Sequence, residues 1–341
     1  MTPPATAAVA TAAVTTAAVT VSVVVPTCRR PRQLLRCLHA LLSQEGVPGR
    51  MEIIIVDDGR SPRLPARVQA WLRRSRSQVA VRCLQPPAGR RGPAAARNAG
   101  WQAARAPVIA FTDDDTLPAH DWLREGLRAM RTGVTAAWGD VIVPLPQAPT
   151  DSERNTAGLQ GAEFVTANCF VRRDALAATG GFDERFEQPW REDSDLYFTL
   201  LEARGLVVHA PAAIVIHPAK RSPPGTSIRQ HRNLLFDALL FKKHRRLYRE
   251  KIARWPPLGY YLTVLAALAA LLCLLAGARL AAGIAGAAWL LLTLRLMLRR
   301  LRGTSRAWPN VADIVASSLV IPIVAVFWRL AGALRYRVPF A

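Results

Sequence analysis

Acidic residues are scarce in this 341-residue sequence: 24 Asp and Glu stand against 45 Lys and Arg, a formal net charge of +21 at pH 7. Cysteines are few, and the five present (Cys28, Cys37, Cys83, Cys169 and Cys273) form no Cys-x-x-Cys pair. Their odd number and wide scatter exclude a disulfide-stapled secreted module and fit a reducing compartment. Neither a Gly-x-Gly-x-x-Gly fingerprint nor a P-loop motif occurs, which argues against an NAD-dependent dehydrogenase and a P-loop ATPase. Residues 1–18 are almost wholly Ala, Thr, Val and Pro and lack any basic residue. The positive n-region of a secretory signal is therefore missing, and a disordered leader is expected there. Apolar residues are not lacking: at 51% of the chain they exclude an intrinsically disordered protein. The length predicts one or two domains. Taken as a total, the positive excess suits nucleic acid, anionic lipid or phosphorylated substrates equally.

From Val21 onward apolar runs alternate with helical patterns. Val21–Val25, Met51–Val56, Val79–Leu84 and Val108–Thr112 read as strands. Between the first two, Leu34, Leu35, Leu38, Leu41 and Leu42 recur at helical spacing, and Pro93 marks the first turn of an Ala-rich helix. This alternation predicts an α/β fold with a mostly parallel sheet flanked by helices. Ligands in such sheets gather beyond the carboxyl ends of the strands. Two aspartate clusters, Asp57-Asp58 and Asp113-Asp114-Asp115, fall at such ends.

The tail has a different composition. Trp255–Ala278 contains no charged residue and is long enough to span a bilayer. Leu280–Leu298 is apolar except for Arg295, so a helical hairpin turning near Arg279 is expected. A third run, Ile314–Trp328 within 314–330, is interrupted by Pro322 and suits either a span or an interfacial segment. Basic residues crowd Lys242–Arg254 and Leu298–Arg306, on what would be one side of the hairpin. The positive-inside bias makes that side cytoplasmic, which assigns the amino-terminal domain to the cytoplasmic face of the plasma membrane. Hydrophobic positions Ile228, Leu235 and Leu239 suggest an amphipathic basic connector over 227–254, resting on the leaflet or on the preceding domain. The expected organisation is a catalytic domain over 19–226, this connector, and membrane segments over 255–337.

Paired carboxylates on a strand-to-loop turn, as at Asp113 and Asp115, suit a hard divalent cation that also touches substrate phosphates. An Asx-turn or helix cap explains the same residues without a metal. Asp193 lies in Trp190-Arg191-Glu192-Asp193-Ser194-Asp195, just ahead of a helical pattern. A carboxylate at a helix start is either a proton acceptor for a hydroxyl or a plain cap. The stretch GRRGPAAARNAG combines Gly, Arg and a helix start, the ingredients of phosphate binding.

In order along the chain, VSVVVPTCRR, IIIVDDGR, RGPAAARNAGW, FTDDDTLP, GGFDERF and WREDSDLYFTL resemble the family 2 glycosyltransferases of the GT-A fold. The resemblance covers roughly Val21–His217 and implies a Rossmann-like nucleotide-binding domain followed here by a three-segment membrane anchor. It implies that Pro26, Thr27, Asp57, Arg97, Asp113 and Asp114 contact the nucleotide-sugar donor. It also implies that Asp113 and Asp115 hold Mg²⁺ or Mn²⁺, with His217 completing the metal site; His209 is a nearby competitor. Asp193 matches the general base of the family, and inversion at the anomeric carbon follows from direct displacement. The Gln-x-x-Arg-Trp motif of polymer-synthesising members is missing from Ser227–Asn233. Transfer of one sugar to a membrane lipid, polyprenyl-linked or cell-envelope glycan acceptor is expected, with no nucleic-acid partner. Two other readings remain at this stage: a nucleotidyltransferase on a related fold, and a non-catalytic basic module bound to a membrane.

Overall fold

A computed structural model describes residues 18–340, so all but the last residue of the expected leader lies outside the described region. The chain divides into two compact units. One runs up to Pro144 and resumes over Leu159–Pro218; the other comprises Leu145–Gly158 and the chain from Ala219 onward.

In chain order the elements up to Ile216 are β1 (Val19–Thr27), α1 (Pro31–Leu42), β2 (Arg50–Asp57), α2 (Leu64–Ser75), β3 (Ala80–Leu84), α3 (Gly92–Ala103), β4 (Val108–Phe111), β5 (Leu117–Pro118), α4 (Trp122–Ala129), β6 (Val134–Ile142), α5 (Asp151–Thr156), β7 (Cys169–Arg172), α6 (Arg173–Thr179), α7 (Glu192–Glu202) and β8 (Leu206–Ile216). All but α5 belong to the first unit. The eight strands form one sheet in the order β3-β2-β1-β4-β7-β6-β8-β5. Its first half is wholly parallel, with β1 between β2 and β4 and with β3 on the far side of β2. The second half is mixed: β7 runs antiparallel to both β4 and β6, whereas β6 and β8 are parallel.

The helices form where the apolar spacing demands. In α1, Leu34, Cys37, Leu38 and Leu41 are buried on one face, and Pro31 starts the helix where a missing N–H costs nothing. Burial of each such leucine contributes about 1.5–3 kcal/mol. On the mixed half, α4 lies so close to β7 that a Cβ on Gly126 would sit 2.0 Å from the Phe170 ring. Trp122 from the same helix is fully buried, and its indole N–H donates to Asn168 Oδ1 at 2.7 Å. The Asn168 amide in turn donates to the carbonyls of Asp140 and Ala213, joining the loop before β7 to β6 and β8.

The second unit holds α5, α8 (Thr226–Gln230), α9 (Leu234–Lys243), α10 (Arg245–Lys251), α11 (Leu258–Leu275), α12 (Arg279–Leu301) and α13 (Trp308–Tyr336). The last three are long and apolar enough to cross a membrane. Pro322 sits inside a continuous α13 and does not end it. A single amphipathic helix over 228–247 does not form. The segment breaks into α8, a 3₁₀ turn and α9, and α9 is buried on every side from Leu235 to Phe241. The reason is α13: a Cβ on its Gly332 would come within 2.6 Å of the Leu235 carbonyl, so the two backbones touch. Along α13 the opposite stripe, including Leu319, Ile323, Phe327 and Leu330, is exposed.

Candidate active site at the carboxyl ends of the parallel strands

The parallel register aligns Thr27 with Asp57 and Val24 with Phe111. The chain therefore leaves β1, β2 and β4 at one edge of the sheet, and the acidic clusters follow directly. Pro26 and Thr27 close β1, and the Thr27 hydroxyl donates to Asp114 Oδ2 at 2.7 Å. Arg30 reaches the same turn, with Nη1 3.4 Å from Asp114 and 3.0 Å from Asp115. Burial pushes the Asp114 carboxyl up to about 6, while the Thr27 hydrogen bond acts in the opposite sense.

Asp57 ends β2 and is buried. One carboxylate oxygen accepts the Ser61 backbone N–H at 2.7 Å; the other, Oδ1, is buried with no hydrogen-bond partner. An orphaned acceptor of this kind fits an incoming N–H donor. Its neighbour Asp58 accepts the Gly92 N–H at 3.1 Å, which fixes the loop ahead of α3. Gly92 has φ +89°, and a Cβ there would meet the Glu187 carbonyl at 2.5 Å, so the position requires glycine.

Arg97 joins three distant parts of the chain. It is only 3% exposed, and its two terminal nitrogens reach Glu192 at 2.9 Å and Asp113 at 2.8 Å. The two carboxylates hold the guanidinium protonated despite its burial. Asn98, one residue on, ties α3 to the Gly-Gly-Phe-Asp loop: its side chain pairs with both N–H and C=O of Phe182.

Glu192 and Asp193 open α7, preceded by Arg191 in the left-handed region at φ 73°. A non-glycine residue held there is strained and is found disproportionately at functional sites. Burial raises the Glu192 carboxyl to about 7, against the lowering effect of Arg97. Burial also raises Asp193, whose carboxylate accepts the Ser194 N–H at 2.7 Å. A half-buried carboxylate with a raised pKa at a helix start is suited to accepting a proton.

His217 follows β8, with Nε2 3.5 Å from Asp115 and Nδ1 buried without a hydrogen-bond partner. His209 lies elsewhere, stacked on Trp138 and 2.7 Å from Asp140. Among the described residues no group of three His, Cys, Asp or Glu side chains gathers in the manner of a complete metal cage. Asp113, turned onto Arg97, is the member that stands apart. The donor set that does converge, one carboxylate and one imidazole with an unpartnered nitrogen, fits a divalent cation completed by substrate phosphates. Sequence reasoning passed over Arg30 and the pairing of Glu192 with Arg97. Arg30 lies three residues beyond Thr27, at a strand end already marked as a binding edge; nothing local marks Glu192 as the partner of a residue 95 positions earlier.

Comparison with known proteins supports one reading. The family model described as Glycosyl transferase family 2 matches residues 22–176, and that of Glycosyl transferase family group 2 matches residues 108–328. Glycosyltransferase AglE of Haloferax volcanii is 27% identical over 171 residues, which are 47% of this chain and 55% of that protein. A pre-mycofactocin glycosyltransferase of Mycobacterium tuberculosis is 28% identical over 211 residues, 57% of this chain and 42% of the relative. The chain thus spans about half the length of the curated relatives it matches. Among solved structures, the mannosyltransferase PcManGT from Pyrobaculum calidifontis, in complex with GDP-Man and Mn²⁺, superposes with a TM-score of 0.54 at 18% identity. The match covers 92% of this chain and 87% of that one. The likeness shows the fold, a mixed α/β sheet of the GT-A kind.

Proposed function

Given that the chain belongs to the family 2 glycosyltransferases, we propose that it moves a single sugar from a nucleotide-activated donor to a membrane-associated acceptor, with inversion. The observation that carries this reading is the series Asp193, Glu192, Arg97 and Asp113, buried at Glu192 and Arg97, which couples a candidate base to the donor edge of the sheet. Asp57, with its unpartnered oxygen, receives an N–H of the donor base, beside Pro26 and Thr27. Asp114 is committed to Thr27 and Arg30 and shapes the turn that presents its neighbours.

Asp193 takes the proton of the acceptor hydroxyl as its oxygen forms a bond to the anomeric carbon. The bond from that carbon to the diphosphate breaks on the opposite side, so the configuration inverts without a covalent enzyme intermediate. Arg97 remains charged throughout and stabilises negative charge on the departing diphosphate. Asp115 and His217, with Asp113 in support, are the residues to hold Mg²⁺ or Mn²⁺, and the cation when bound would neutralise that leaving group. The Mn²⁺ and GDP-Man of the Pyrobaculum mannosyltransferase support a cation and a nucleotide sugar as the pair to test first. The three apolar helices support an acceptor that lives at a membrane: a lipid, a polyprenyl-linked sugar or a cell-envelope glycan precursor. The basic residues flanking α11 and α12 support a cytoplasmic catalytic unit at the plasma membrane.

The decisive experiment is a screen of nucleotide sugars against the detergent-solubilised full chain with Mn²⁺, reading nucleoside diphosphate release. One donor should be hydrolysed well above the rest. Release of inorganic pyrophosphate in place of the diphosphate would turn the assignment towards nucleotidyl transfer, and neither product from any donor would remove the catalytic reading.

A further inference from the structure

Four cations line an open cavity of about 840 Å³ in the second unit: Arg249, Lys251, Arg254 and Arg329. Among the described residues at its wall the carboxylate is Glu250, which is exposed and lies 3.5 Å from Arg246. Aromatic rings of Phe241, Tyr248, Trp255 and Phe340 also line it. Arg329 differs from the other three cations because it is only 5% exposed. Its Nε donates to the Tyr261 hydroxyl at 3.3 Å, and its guanidinium carbon lies 4.1 Å from the centre of the Phe340 ring. Its terminal nitrogens have neither a hydrogen-bond partner nor a carboxylate among the described residues. A buried cation without an acid is unfavourable, and an aromatic face offsets only part of that cost. An anion in the cavity would supply what is missing.

The position of the cavity selects the class of anion. Residues 249–256 run directly into α11, and Tyr261 lies in the first turns of that helix. Arg329 is thereby held at the depth where a membrane helix begins, which is the level of lipid headgroups. Trp255 is 72% exposed and carries Arg254 5.9 Å from its ring centre, an aromatic and a basic residue together as at membrane interfaces. A soluble phosphate would not use the aromatic wall.

We propose that this cavity is a binding site for the headgroup phosphate of an anionic phospholipid, with Arg329 as its buried contact and Arg249 and Arg254 at its rim. The site is independent of sugar transfer and goes beyond general attraction of basic flanks to a charged leaflet.

The test uses the detergent-solubilised full chain and reads its thermal unfolding midpoint with short-chain phosphatidylglycerol, short-chain phosphatidylcholine or inorganic phosphate at equal concentration. Phosphatidylglycerol should raise the midpoint by about 3 °C or more at saturation, with the other two inside about 1 °C. Arg329→Gln should abolish that rise. Should that variant fail to fold, the exposed rim pair Arg249→Gln with Arg254→Gln carries the test, and should at least halve the rise. An equal rise with phosphatidylcholine would overturn the proposal in favour of simple acyl-chain binding. Inorganic phosphate reproducing the full rise would overturn the lipid assignment, and an undiminished response in the folded variants would remove the cavity from the account.

Discussion

The two units pair arginine in opposite ways, and two arginines show the contrast. Arg97 in the catalytic unit is paired through its terminal nitrogens with two carboxylates, Asp113 and Glu192, each on an element that bears a candidate reactive group. Arg300 in the second unit has one carboxylate, Asp151 at 2.7 Å, and otherwise hydroxyls: Ser317 at 2.7 Å, Ser318 at 3.1 Å and Ser227 at 3.3 Å. The first arrangement concentrates acids whose protonation can change. The second satisfies a cation with few acids and leaves the membrane flank positive. Under the proposed function, a carboxylate paired to arginine is a functional group in one unit and a structural tie in the other.

The strongest way to break that distinction is to neutralise one acid from each. Asp193→Asn should lower kcat by roughly 10²–10⁴-fold, the range for loss of a general base, while calorimetry finds nucleoside diphosphate binding nearly unchanged. Asp151→Asn should do the reverse, lowering the unfolding midpoint with kcat within about threefold. Full turnover by the Asp193 variant would take the base role from this residue.

Removing the arginines tests the same contrast through stability. Arg97→Met strands two carboxylates, one of them the buried Glu192, and should cost about 3–5 kcal/mol in denaturant unfolding. Arg300→Met strands a more accessible acid, and the buried Ser317 hydroxyl keeps its bond to the Asp313 carbonyl, so about 1.5–3 kcal/mol is expected. Equal costs would mean that the pairing of acids in the catalytic unit carries no special penalty.

A smaller effect separates the two outer aspartates of the FTDDDT turn. Asp115 stands beside His217, whereas Asp113 is committed to Arg97. Asp115→Asn should therefore raise the Mn²⁺ concentration for half-maximal activity by more than about tenfold, and Asp113→Asn by clearly less. Identical shifts would show that Asp113 leaves Arg97 when the cation binds.

Much of the catalytic unit was legible before any coordinates. Its first four strands begin and end within two residues of the apolar runs, three of which stop directly at a proline or an aspartate. The run Met51–Val56, for instance, became β2 at Arg50–Asp57. The parallel half of the sheet followed from the strand–helix alternation. The antiparallel insertion of β7 did not, since four residues, Cys169–Arg172, carry no mark of their partners. Asp57 and Asp113 stood out because they follow apolar runs, and Asp193 because it stands just ahead of a helical pattern. The Arg97 bridge stayed hidden, as its partners lie 16 and 95 positions away. In the tail, hydropathy marked the helices, but it read Pro322 as a break. That proline is buried within α13, where packing holds the helix together across the lost hydrogen bond. Hydropathy also suggested an amphipathic connector, because a helix pattern does not reveal that α13 will cover its polar-looking side.

The finest test of the contrast is pH, because the acids around Arg97 should pull activity and stability in opposite directions. Burial raises Asp193 above the ordinary aspartate value of 3.8 and Glu192 from 4.5 to about 7. A base must be ionised, so kcat should fall on the acid side along a limb whose midpoint lies above the ordinary aspartate value of 3.8. Stability behaves otherwise. A carboxyl raised in the folded state binds its proton there more readily than in the unfolded chain, so folding gains as pH falls from about 7 to 4.5. The gain attributable to Glu192, read as the difference between the native chain and Glu192→Gln, should be on the order of 1–3 kcal/mol across that window. Arg97 lowers both groups, so Arg97→Met should move the acid limb of kcat upward. Activity and stability declining together between pH 7 and 5, with no difference in Glu192→Gln, would show that these acids are structural ties like Asp151, and the contrast between the two units would fail.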